Sequence, residues 1–348
     1  MDDQVRHEIG VYFEREARQT PPGVRERVLA RLAEAATRPA PRARRSPTWP
    51  ALVASVLVAT ATVGALVVAN LAGRQQPAAS PGPVLPRAGA AVTYAGTDGA
   101  VLLIGGAAGR SVLGDMWAWD GRGWTEVRPA TLPPARQDAL AVYDPAHRAV
   151  VLFGGFGRSD TWTWDGREWT RRTTPTGPPA TAADMIYDPS SNTVLLTTYA
   201  KGETDALWRW DGRSWTKLAN GGVAASGRLV FDGRRVLLVG QQGTWAWDGR
   251  AWSRLSPATP LPALPIAGAA FDGVRRRVVA LVAGPAGPET WTWDGATWSR
   301  AHPAHEPVLS PGGRLVGGGG AGLWFDGAQL WAWDGRDWTL AGRKGGHG

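Results

Sequence analysis

Six polar residues carry most of the chemistry this sequence can offer: Arg136, Asp138, Asp184, Arg228, His305 and Glu306. Carboxylates, guanidiniums and imidazoles move protons, bind anions or hold metals. Of the five histidines, His7 lies near the N-terminus and His347 in the last residues, leaving His147, His302 and His305. His302, His305 and Glu306 form a loosely metal-like cluster that reads better as a polar connection, so no metal site is expected. The chain has no cysteine, which excludes disulfides, thiolate metal sites and a cysteine nucleophile. There is no G-x-S-x-G, H-E-x-x-H or Walker-type loop. Neither catalytic residues nor a cofactor are therefore expected. The six residues stand out because they do not recur at fixed intervals, whereas most of their surroundings do.

What recurs is the motif W-x-W-D-G-x-x-W, present six times. Its first tryptophans are Trp117, Trp162, Trp208, Trp245, Trp291 and Trp331. The intervals of 45, 46, 37, 46 and 40 residues suit four-stranded propeller blades. The second tryptophans are Trp119, Trp164, Trp210, Trp247, Trp293 and Trp333; the third are Trp124, Trp169, Trp215, Trp252, Trp298 and Trp338. Together they account for eighteen of the twenty tryptophans. The Asp-Gly pair signals a tight two-residue hairpin, which would set Trp119 opposite Arg122 and Trp117 opposite Trp124. Side chains two apart share a face, so the three indoles lie together, with the Arg that follows Gly in five copies covering the second Trp.

Ahead of each hairpin stands another strand pair, such as Ala139 to Asp144 with Ala149 to Gly155 around an Asp-Pro turn. The sixth copy, near Val308 to Gly320, is Gly-rich and its strands cannot be placed. The tryptophans could stack on sugars or pack neighbouring blades. Eighteen indoles at about 150–250 Å² each would expose some ~3,000 Å², far more than soluble domains leave in water. They are expected to be structural. The six aspartates of the turns are likewise turn-forming, one per repeat.

The sequence apolar-Tyr-Asp-Pro, then Val-Val-Leu-Phe-Gly-Gly (150–155), then Asp-Thr-Trp-Thr-Trp-Asp (160–165) resembles the kelch-repeat and galactose-oxidase-like propellers. The resemblance implies an all-β, six-bladed kelch-like β-propeller over residues 87–342, with functional groups on the face formed by the connections between strands 2 and 3 and between blades. The six polar residues named first fall on that face as a candidate binding site. Galactose oxidase needs a cysteine cross-linked to tyrosine, so its copper chemistry is not implied for this chain.

Residues 46–73 carry no charge and 51–69 are almost wholly apolar, enough for one membrane-spanning helix, placed at 50–72. The segment starts too far into the chain for a cleaved signal peptide. Arg38, Arg42, Arg44 and Arg45 precede it against Arg74 after it, which sets residues 1–49 in the cytoplasm and the propeller outside. Two short runs of helical periodicity in 1–49, a Pro-rich linker at 73–86 and a flexible tail at 343–348 complete the layout. Short helices, an Arg-rich stretch, one span and an outer domain resemble actinobacterial membrane anti-sigma factors.

The formal net charge of +8 is spread over the ends: residues 87–342 carry 25 basic and 23 acidic side chains. A near-neutral domain is not a nucleic-acid binder. The expectation is a single-pass membrane protein whose outer propeller binds a protein, glycan or wall polymer. The alternatives are a signalling regulator with a cytoplasmic partner, and a carbohydrate-active enzyme.

Overall fold

The computed structural model describes residues 84–96, 100–198, 206–220, 227–310, 312–318 and 321–341. The expected inner segment, membrane helix, tail and most of the linker lie outside them. Among the described residues no helix is long and apolar enough to cross a membrane.

Among the described residues twenty-four strands form six antiparallel sheets of four, each built from consecutive strands. The first holds β1 (Ala91–Tyr94), β2 (Val101–Ala108), β3 (Ser111–Trp119) and β4 (Trp124–Glu126). The second holds β5 (Leu140–Asp144), β6 (Ala149–Phe153), β7 (Thr161–Trp164) and β8 (Trp169–Arg172). The third holds β9 (Ala182–Asp188), β10 (Thr193–Thr198), β11 (Ala206–Trp210) and β12 (Trp215–Asn220). The fourth holds β13 (Gly227–Phe231), β14 (Val236–Gly240), β15 (Gly243–Trp247) and β16 (Trp252–Arg254). The fifth holds β17 (Ile266–Asp272), β18 (Arg277–Gly284), β19 (Gly287–Trp293) and β20 (Trp298–Arg300). The sixth holds β21 (Arg314–Gly318), β22 (Ala321–Phe325), β23 (Leu330–Trp333) and β24 (Trp338–Leu340). The first strands touch in cyclic order, β1 to β5, β9, β13, β17, β21 and back to β1. The chain is thus an all-β, six-bladed propeller. Below, the upper end is where the chain enters each innermost strand, and the lower end is where it leaves.

Each blade is covered on both faces by its neighbours. That is why second strands read as unbroken apolar runs rather than alternating ones: all of Ala149–Phe153 is buried. The Gly-rich sixth blade resolves into β21 and β22. A Cβ at Gly322 would come 2.9 Å from Val279 Cγ1, and one at Gly317 3.1 Å from Phe271 N, so small residues let the sixth blade approach the fifth.

The W-x-W-D-G-x-x-W hairpin corrects the sequence-based register. Trp119 pairs with Trp124 and Trp117 with Glu126, the loop holding four residues rather than two. The reason is the aspartate side chain: Asp120 Oδ1 accepts from the backbone N–H of Arg122 (2.8 Å) and Gly123 (2.9 Å), which stabilises the wider turn. The same capping recurs at Asp165, Asp211, Asp248, Asp294 and Asp334. Arginine after glycine therefore does not cover the second indole. Among the described residues the cation–π contact is instead Arg254 over Trp245, at 6.0 Å. All eighteen motif indoles are buried or half-buried. Paired rings such as Trp293 and Trp298 lie 5.4 Å apart, tilted 41°.

The third tryptophan also reaches the preceding blade. Trp215 Nε1 donates to Thr161 Oγ1, Trp298 to Thr244 and Trp338 to Thr290, each at 2.9 Å. These bonds satisfy indole N–H groups that burial would otherwise strand. The ring closes without a shared strand. Phe325 packs edge-on to Trp124 at 6.1 Å, Val92 and Leu103 share a core with Leu323 and Leu330, and Arg87 N donates to Gly327 O at 2.7 Å.

Candidate functional site

The six innermost strands enclose a central channel of about 580 Å³. That lies within the ~300–1,000 Å³ typical of small-molecule sites. Its two ends differ in chemistry. At the lower end five innermost strands carry an aromatic residue in their last or last-but-one position: Tyr94, Tyr143, Tyr187, Phe231 and Phe271 all line the lumen. Phe231 and Phe271 meet edge to face at 6.1 Å. Burial pushes the Tyr94 hydroxyl well above its usual titration range; burial, with the Asp144 and Asp188 charges, also raises that of Tyr187.

The upper end is charged. Asp184 in β9, Arg228 in β13 and Arg314 in β21 line it. Asp184 Oδ2 accepts from the Leu229 backbone N–H at 2.7 Å, a bond between adjacent blades. Burial raises its pKa above the usual carboxylate range, against the pull of Arg228, the Leu229 N–H and Arg314. Arg314 belongs to the blade diametrically opposite, so its charge is felt across the lumen. Burial, and then the like charge of Arg228, pull the Arg314 pKa below its ordinary value; Asp184 and Asp138 act the other way. Among the described residues neither guanidinium has a hydrogen-bond or ion-pair partner, unlike Arg87 and Arg136.

The six sequence-predicted residues separate into three groups. Asp184 and Arg228 line the channel. Asp138 stands exposed just before β5, its N–H donating to Gly89 O at 2.7 Å. Its φ of 57° is left-handed, as is the 64° of Gly89 at the matching place in the first blade. A carboxylate occupying a position that suits glycine is a local strain at the upper end. Arg136 is buried, not exposed, and it does recur. It forms a two-pronged pair with Asp160 (3.0 and 2.9 Å) and donates to Gly154 O, while Trp162 Nε1 donates to Asp160. Arg87, Asp115, Trp117 and Gly105 repeat that arrangement in the first blade. Aligning Arg87-x-x-Ala with Arg136-x-x-Ala would have revealed the repetition.

His305 and Glu306 join the fifth and sixth blades and do not line the channel. His305 Nδ1 lies 2.7 Å from Asp337 Oδ2. Glu306 accepts from Thr290 N (3.1 Å) and Oγ1 (2.6 Å), and burial raises its pKa despite those bonds. His302 and His305 do not assemble a metal cluster with further ligands among the described residues. The residues missed from sequence are Arg314, hidden in the Gly-rich sixth copy, and the lower aromatics, whose signal was the aromatic preceding Asp in Tyr143-Asp144, Tyr187-Asp188, Phe231-Asp232 and Phe271-Asp272.

Exposed apolar side chains also favour the upper end. Leu85, Phe156 and Val308 lie on upper connections, Val112 at the upper end of β3, and Val274 on a lower turn.

No family model and no curated protein matches the chain. Among solved structures it is similar to the SapL1 lectin in complex with alpha methyl fucoside. The TM-score is 0.54 and the identity 17%, over 74% of this chain and 96% of that one. At that identity the likeness is one of fold.

Proposed function

We propose that this protein is a membrane-tethered, extracytoplasmic binding propeller of kelch-like type whose ligand enters the central channel from the charged upper end. One observation carries the reading. The recurring polar groups are consumed by the fold, in capped turns, Arg–Asp–Trp clusters and Trp–Thr bonds, whereas Asp184, Arg228 and Arg314 face a lumen of about 580 Å³. A concave site with an apolar wall and a few convergent polar groups is a binding site by its physics. The lectin of similar fold, seen with a fucoside, supports binding rather than turnover. The uncharged stretch at 50–72 with arginines before it supports the tether and its direction.

The test is a binding screen of the full chain in detergent against glycans and wall polymers, repeated with Tyr187→Ala and Arg228→Glu. The ligand found should lose at least tenfold in affinity with both variants. Unchanged affinity would move the site elsewhere, and ligand turnover would make the protein an enzyme. Two helical runs in residues 1–49 favour a second reading, a grip on a cytoplasmic protein that reports channel occupancy. Deleting 1–49 should then abolish a signalling output while leaving ligand binding intact.

A further inference from the structure

Among the described residues the two guanidiniums at the upper end have no protein partner that accounts for them. Among the described residues the two buried arginines each have a carboxylate in bidentate contact: Arg87 with Asp115, Arg136 with Asp160. Arg228 and Arg314 instead approach each other from blades that are not neighbours, and Asp184 faces them while its own oxygen is engaged by Leu229 N–H. Both residues are half-buried on the channel wall, where partly desolvated guanidinium donors gain from an acceptor. A planar carboxylate is the shape that a pair of arginine forks accepts best.

The rest of the channel narrows the ligand. On β9 and β13 an aromatic lies three residues beyond the charged group: Tyr187 follows Asp184, Phe231 follows Arg228. At ~3.3 Å per residue the charged level and the aromatic level are about 10 Å apart. A sugar ring offers an apolar C–H face to aromatic side chains, and two linked rings fill that distance. Resting on the channel-binding reading, we propose that the lumen takes an acidic saccharide, its carboxylate held between Arg228 and Arg314 and its pyranose rings directed toward Tyr143, Tyr187 and Phe231. Asp184 opposes this ligand electrostatically and sets its affinity.

The same carboxylate chemistry could come from a uronic acid in a saccharide or from a simple organic acid, so the experiment carries an arm for each. Titration calorimetry of the full chain in detergent would compare digalacturonate, its uncharged methyl ester, and succinate. Digalacturonate should bind, with the ester and succinate at least tenfold weaker. Arg314→Gln should weaken digalacturonate at least tenfold, and Arg314→Lys less, because it keeps the charge but loses the fork. Asp184→Asn keeps an acceptor for Leu229 N–H, removes the opposing charge, and should tighten binding several-fold. Equal affinity for acid and ester, or an unchanged affinity in Arg314→Gln, overturns the carboxylate assignment. If the ester binds as well and Tyr187→Ala abolishes both, the channel reading stands and only the carboxylate assignment falls. If both saccharides bind and Tyr187→Ala changes neither, the channel reading falls as well. Succinate binding as tightly as digalacturonate overturns the saccharide assignment.

Discussion

Two aspartates show how one side-chain type takes opposite roles in this protein. Burial works against the charge of Asp160, but the Arg136 and Trp162 bonds outweigh it and hold its carboxyl below the usual range. Its contribution to stability is therefore present above the ordinary carboxylate pKa and lost as pH falls through the lowered value. Removing it leaves the Arg136 guanidinium, 1% exposed, without its counter-charge. Asp160→Ala should destabilise the fold at neutral pH by about 3–5 kcal/mol, measured by urea unfolding. Asp184 runs the other way. Its raised pKa favours the folded state below the ordinary carboxylate range, and that advantage is lost as pH rises toward the raised value. The charged groups facing it are Arg228 and Arg314, with Asp138 beyond. Asp184→Asn should thus stabilise the protein at pH 7, with the gain vanishing below about pH 4, where the unfolded carboxyl also takes up its proton. At this scale the sequence offered types and irregularity but not burial. Arg136 and Arg228 read alike until one proved paired and the other open to the lumen.

Hairpins are where local chemistry and blade packing meet. The Asp-Gly pair signals a turn but not its length, because the side chain of Asp120, rather than backbone dihedrals alone, decides how wide the loop is. A second influence comes from the next blade. His147, bonded to Asp144 at 2.8 Å, lies over Gly212, where an added Cβ would meet its ring at 2.2 Å; at Gly166 an added Cβ meets nothing. Both glycines have left-handed φ, 92° and 97°. Gly212→Ala and Gly166→Ala therefore share the backbone strain and differ in the steric clash. Gly212→Ala should be more destabilising by about 1–3 kcal/mol in thermal or urea unfolding, the range for overpacking. Equal effects would show that inter-blade contact adds nothing at these turns. Blade number and the strands of the first five blades were legible in sequence because period and turn residues are local; β21 and β22 were hidden by glycines. The Trp–Thr bonds were not, since they join residues some fifty positions apart in neighbouring repeats.

A ring without a shared strand must be closed by packing between its first and last blades. Phe325, almost fully buried against Trp124, is central to that seam. Phe325→Ala should cost about 3–5 kcal/mol in urea unfolding, and amides of β1 and β22 should lose exchange protection before those of β10 and β14. Protection lost evenly around the ring would mean that the seam is no weaker than other blade interfaces. The architecture could be read from the spacing of the tryptophans, and Asp184 and Arg228 from their irregularity, but Arg314 could not. The channel's charged end draws one residue each from β9, β13 and β21, and no local pattern announces that Arg314 joins the other two. The whole account rests on that convergence. Hydrogen–deuterium exchange of the full chain with and without digalacturonate tests it most directly. Slowed exchange confined to the innermost strands, around 184–187, 228–231 and 314–317, is the predicted result. Slowed exchange at the lower Asp-capped hairpins or the outermost strands, with the innermost strands unaffected, would contradict it.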